Sequence, residues 1–104
     1  MAGKKRGPED NRRLAKALGH DLRLRILRLL IAKSEPVSPK EASNELSEVL
    51  SNVSYHFRVL AEHQALKLRR KRAVRGSTEH FYSPNPRVVE MPMVQQILSA
   101  TAND

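Results

Sequence analysis

The stretch Ser38-Pro-Lys-Glu-Ala-Ser-Asn-Glu-Leu-Ser-Glu-Val-Leu-Ser-Asn-Val-Ser-Tyr-His-Phe-Arg-Val-Leu60 contains two helix starts in close succession. At the first, the Ser38 hydroxyl can accept from the Glu41 amide while the Glu41 carboxylate reaches back, and Pro39 fills the first helical position. A short helix over Pro39 to Leu46 is expected. After a turn at Ser47 to Leu50, Ser51 can cap a second helix, whose Val53, Phe57 and Leu60 repeat at i, i+4 and i+7. Two short helices joined by a tight turn make a helix-turn-helix.

Upstream, two more helices are legible. Pro8, Glu9 and Asp10 suit a first helical turn, and Leu14, Ala17 and Leu18 share one face of a helix running to about Leu18. Gly19 is expected to take the left-handed conformation that ends it. Asp21 opens the next helix, with one stripe at Leu22, Ile26, Leu29 and Leu30 and another at Leu24, Leu27 and Ile31. Two stripes predict burial on two sides, with Arg23, Arg25 and Arg28 between them.

Downstream, Leu66 and Leu68 alternate with Lys67 and Arg69, a charged stretch leads to Gly76, and Thr78 to Tyr82 is rich in strand formers. This reads as a hairpin with a basic tip. Pro84, Pro86 and Pro92 interrupt the chain before a short last helix with Val94, Ile97 and Leu98 on one face. The fold class is therefore mainly α with a small β-hairpin, in the order of a winged helix-turn-helix: four helices, two strands, one helix. The expected divisions are a basic disordered tail at 1–7, the winged helix-turn-helix at 8–83, and a Pro-containing linker with a short dimerisation helix at 84–104.

At 104 residues one core is expected. Nineteen Lys and Arg against eleven Asp and Glu leave a net charge of +8, which favours polyanionic partners, nucleic acid before a membrane surface. The absence of cysteine excludes disulfides and thiolate chemistry and suits the cytoplasm. No apolar run follows the basic start, so neither secretion nor a membrane span is expected.

With Val53, Phe57 and Leu60 turned inward, the 100° step of a helix points Tyr55, Arg58 and Glu62 outward and leaves Asn52, Ser54 and His56 on the flanks. Arg58 can pair with guanine, Asn52 with adenine or phosphate, and Ser51, Ser54, Tyr55 and His56 can hold phosphates or base edges. Capping by Ser51 and Asn52 and packing by His56 are the alternatives. Lys67, Arg69, Arg70, Lys71, Arg72 and Arg75 follow one another without an acid, a density suited to phosphates on double-stranded DNA.

The segments Ala17-Leu-Gly-His-Asp-Leu-Arg-Leu-Arg-Ile-Leu27, Leu50-Ser-Asn-Val-Ser-Tyr-His-Phe-Arg-Val-Leu60 and Arg75-Gly-Ser-Thr-Glu-His-Phe-Tyr82 resemble the ArsR-type winged helix-turn-helix transcriptional regulators, in their broad, non-metal-sensing branch. The resemblance implies a homodimer, built largely by the first and last helices, that binds a pseudo-palindromic operator and usually represses. Leu14, Leu18, Val94, Ile97 and Leu98 are the residues it would use, and packing within the chain is the alternative for their stripes. The paired cysteines and last-helix ligands of metal-sensing members do not occur here, and Gln64 and Ala65 stand where relatives usually have Gly and a large apolar residue. A looser or differently turned exit from the helix ending near Glu62 is expected.

No metal and no cofactor are expected. His56 and His63 are seven residues apart, about 10.5 Å along a helix, too far to share an ion. The few glycines form no phosphate loop and no nucleophile elbow is present, so the chain reads as a binding protein and not an enzyme. Two other readings keep the same architecture: a protein-interaction module with a merely basic surface, and an architectural or recombination-accessory DNA-binding protein. Nothing in the residues identifies an effector.

Overall fold

The computed structural model describes residues 6–100. Six helices and one hairpin follow in the order α1 (Pro8–Ala17), α2 (Asp21–Ala32), α3 (Pro39–Leu46), α4 (Leu50–Glu62), β1 (Leu66–Val74), β2 (Ser77–Pro84), α5 (Pro86–Val89) and α6 (Pro92–Ala100). The single turn α5 is absent from the sequence expectation. Four residues are too few to show a period, and its cap, the Asn85 side chain accepting from the Arg87 amide, becomes visible only once folded.

α2 is the central helix, because Leu22, Leu24, Ile26, Leu27 and Leu30 are all buried. Only part of the expected second stripe is covered, since Ile31 is 42 % exposed. Around α2 the core gathers Leu14 and Leu18, Ala42, Val53, Phe57 and Leu60, Ala65 and Leu66, and Val88 and Val94. Every helix thus contributes to one core, and the hairpin joins it at its base through Leu66 and the partly buried Tyr82.

That core corrects the expected divisions. Leu14, Leu18 and Val94 are fully buried within their own chain, so none of the three side chains is available to a partner, whereas Ile97 and Leu98 are half-buried against the core. Among the described residues, the segment 84–100 is not a separate unit, because Val88 and Val94 fill the same interior and the Arg28 guanidinium donates to the Leu98 carbonyl at 3.0 Å. The tail expected at 1–7 lies outside the described residues up to residue 5. Arg6 and Gly7 belong to the fold: Arg6 donates to the Asn11 side chain, and the Gly7 amide donates to Asp10 Oδ2 at the start of α1.

The helix ends show where glycine was not used. Gly19 does not enter the left-handed region, and α1 stops in an ordinary turn in which its amide donates to the Lys16 carbonyl. Ser47 (φ 55°) and Gln64 (φ 66°) do enter it. Each closes a Schellman turn: Glu48 donates to Ser43 and Ser47 to Asn44 after α3, and Ala65 donates to Leu60 and Gln64 to Ala61 after α4. The exit from α4 is therefore a tight Schellman turn where a looser or differently turned one was expected, and Gln64 carries the strain that glycine would avoid.

β1 and β2 pair antiparallel, with Val74 opposite Ser77 across a two-residue turn whose Arg75 and Gly76 both have positive φ, as the twist of a hairpin favours. A bulge between Leu68 and Arg70 takes Arg69 out of register, so the simple alternation expected along β1 is broken there. Val37 forms an isolated bridge with Tyr82, adding a short third edge to the hairpin. One bridge leaves no sequence pattern of its own.

Candidate nucleic-acid interface

The turn that aims α4 is held from below. Arg25 Nη1 donates to Glu48 at 2.8 Å and its Nη2 to the Leu46 carbonyl at 3.1 Å, while the Ser43 hydroxyl donates to the Glu48 carbonyl. Arg25 lay between the expected stripes of α2 and reads in isolation as a solvated edge. In the folded chain it ties α2 to the bend between α3 and α4.

Val49, with extended backbone and no side-chain cap, precedes α4, so Ser51 sits inside the first turn and does not cap it. The amides at that end stay directed outward as donors. Ser51, Asn52, Tyr55, Arg58 and Glu62 are exposed and Ser54 is half-buried, which agrees with the periodicity. His56 does not share that face. It is buried at 8 % exposure, its ring 4.3 Å from that of His20, and its Nδ1 accepts from Arg23 Nε at 3.0 Å. Burial, then the neighbouring His20 and Arg23, hold its pKa below the ordinary histidine value.

His20 in turn caps α2 by accepting from the Leu22 amide, and Arg23 also donates to the Ala17 carbonyl. The histidine pair and Arg23 therefore lock α4 to the junction between α1 and α2. Of the expected α4 contacts, five remain at the surface and His56 is a packing residue, its place decided by where the neighbouring helix begins. Among the described residues no group of three His, Asp or Glu side chains is placed to hold a metal ion.

The hairpin presents its cations along an exposed edge: Lys67, Arg69, Arg70, Lys71, Arg72 and Arg75 are all solvent-accessible. Two of them are shaped by an aromatic ring. The Arg70 guanidinium lies 3.9 Å from the centre of the buried Phe81 ring and that of Arg72 lies 5.5 Å away, so both charges are stacked and held in place. Arg69 donates to the Ser83 hydroxyl at 2.6 Å.

The hairpin is moored to α3 through Glu79, which accepts from the buried Ser38 hydroxyl at 2.7 Å and from Arg72 at 2.7 Å. These bonds, Ser38 first and Arg72 second, hold the Glu79 carboxyl below the usual carboxylate range. Ser38 serves twice, because it also caps α3 by accepting from the Glu41 amide, while Glu41 accepts from the Ser38 amide. The capping box legible in the sequence is thus also the anchor of the wing.

Between α3, α4 and the hairpin runs an open groove of about 750 Å³, bordered by Lys40, Leu50, Ser54, Arg58, Arg72 and His80. It places one side of the exposed α4 face opposite the basic strands. Lys40 and His80 were not among the expected contacts. Lys40 was legible only as part of the α3 start, and His80 only as a strand residue.

Four packed helices, with an exposed fourth helix preceded by a tight turn and flanked by a basic hairpin, define a winged helix-turn-helix, the fold of DNA-binding transcription regulators. Residues 18–69 match the family model of a helix-turn-helix domain, and the chain belongs to that family, in its ArsR-type form. No curated protein matches the chain in sequence.

Solved structures share the fold. The homodimeric winged helix-turn-helix DNA-binding domain of Mb0332 from Mycobacterium bovis, a possible ArsR-family regulator, aligns with a TM-score of 0.69 at 20 % identity, covering 99 % of this chain and 93 % of that one. Rv0081 of M. tuberculosis aligns at 0.62 and 24 % identity, covering 93 % and 94 %. Reduced HlyU from Vibrio cholerae aligns at 0.60 and 22 % identity, covering 86 % and 82 %.

Proposed function

We propose that the protein is a sequence-specific transcription regulator that binds a pseudo-palindromic site in double-stranded DNA as a homodimer and represses, acting in the cytoplasm by binding and not by catalysis. The observation that carries this is the pairing of the exposed α4 face with a stacked, anchored basic wing across one groove. In this reading Arg58, Tyr55, Asn52, Ser51 and Ser54 face the major groove, and Arg69, Arg70, Lys71, Arg72 and Arg75 bind flanking phosphates. The homodimer is supported by the description of Mb0332 as homodimeric. α6 is the element on which it rests here, with Ile97 and Leu98 half-buried along it and Ile31 of α2 exposed. Val94, fully buried, holds α6 to the core beneath that surface.

Selection of binding sites from a random duplex pool at about 0.15 M salt tests the reading, because nonspecific phosphate attraction is then partly screened. A two-fold-symmetric motif with half-sites about 10 base pairs apart is expected. Arg58→Ala should relax the preference at one position of each half-site. Recovery of no motif would remove the regulator reading.

A further inference from the structure

At the entrance to α4, two large apolar side chains stand in water: Val49 is 63 % exposed and Leu50 is 46 % exposed. They are adjacent, they precede Ser51 and Asn52, and Leu50 lies on the edge of the groove that Ser54 and Arg58 also line. Their exposure has a physical cost and no structural return within the chain, for neither belongs to the core or to the partly buried shell around it. Val49 does not cap the helix either. A polar residue here would hold the turn equally well, since the Schellman turn at Ser47 and the Arg25 to Glu48 pair are made without either side chain.

We infer that Val49 and Leu50 are specificity-determining residues that read thymine C5-methyl groups in the major groove of double-stranded DNA. This rests on the DNA-binding reading above. The surface around the pair is the one that reading turns to DNA: Ser51, Asn52, Tyr55 and Arg58 follow on α4, and Lys40 and Arg72 line the same groove as Leu50. The thymine methyl is the one apolar group that base edges present in the major groove, and it is absent from the minor groove. A pair of aliphatic side chains at the leading end of an inserted helix matches that chemistry and no other feature of the groove floor. Hydrogen-bonding residues behind them, Asn52 and Arg58, discriminate among the remaining edges.

The test replaces thymine by deoxyuridine, which removes the methyl alone, at each T·A position of the selected site in both half-sites together. Titrations compare the wild type with Val49→Ser and Leu50→Ala. Wild-type affinity should fall about fourfold per buried methyl, and roughly tenfold or more for a symmetric pair, at one or two positions per half-site. One variant or both should bind the two duplexes alike at those positions while keeping the preference that Arg58 supplies. Because the deoxyuridine series uses the unaltered protein, it stands even if a variant folds poorly. Sequence-selective binding that is indifferent to every thymine methyl would overturn the inference and leave the regulator reading intact. The same holds if the variants still discriminate fully. A protein that selects no sequence would lose both.

Discussion

At Gln64 a residue with a Cβ holds a left-handed backbone that glycine holds without strain. Its side chain is exposed, and its structural contribution comes from the main chain, through the amide bond to Ala61 and the carbonyl that accepts from Asn85 Nδ2 at 2.8 Å. Gln64→Gly keeps both bonds. Relief of strain, set against the greater freedom of glycine when unfolded, should stabilise the fold by up to about 1 kcal/mol, a rise of a few degrees in thermal midpoint. A lower midpoint would show that the Gln64 side chain contributes something its exposure conceals.

His56 offers a second residue-scale outcome. Burial and the Arg23 hydrogen bond favour its neutral form, so its folded pKa lies below its unfolded one. As pH falls, the unfolded chain takes up that proton first; the stability contribution is full above about pH 6.5 and declines below it. Thermal melts from about pH 7 to 5 should therefore fall more steeply for the wild type than for His56→Gln, which keeps an acceptor but does not titrate. Parallel curves would remove His56 as the cause. The sequence leaves His56 on the flank of α4, between groove and core. What decides its burial is the N-terminus of α2, whose capping residue His20 lies against it, and no local pattern relates residues so far apart.

At the scale of elements, the wing is organised by one aromatic ring. Phe81 is 2 % exposed and outside the main hydrophobic core, with the Arg70 and Arg72 guanidinium groups over its ring. Replacing Phe81→Leu keeps an apolar residue and removes the π face, a contact of about 0.5–1 kcal/mol for each exposed cation. DNA affinity should drop a few-fold for all sequences alike, because phosphate contacts carry no base preference. A change in the selected motif itself would place Phe81 or its arginines at base edges. The hairpin was legible from Leu66, Leu68, Gly76 and the Thr78 to Tyr82 run, and its basic edge from composition. The bulge at Arg69 and the mooring of Glu79 to Ser38 were not, since the first depends on pairing register and the second joins residues 41 apart.

For the whole molecule, electrostatics should dominate the response to salt. Each chain carries a net charge of +8, and six cations lie along one exposed edge of the wing without an intervening acid. A dimer making about 6–10 phosphate contacts should show a slope of roughly −5 to −9 in log affinity against log salt. Arg75→Ala, at the wing tip, should reduce that slope by about two, one contact for each protomer. A slope near zero would mean that the wing does not meet the backbone.

The sequence by itself determined every helix but the single turn α5, the helix-turn-helix, the hairpin and the outward stripe of α4, because periodicity, caps and turn residues act within a few neighbours. It also determined the sign of the charge and its concentration on the wing. The tertiary structure alone decided that Leu14, Leu18 and Val94 are interior, that His56 turns away from the groove, and that Val49 and Leu50 stay in water. An amphipathic stripe specifies that a face must be covered and not what covers it. Coverage depends on which elements meet across long separations in the chain, and only the folded core selects them.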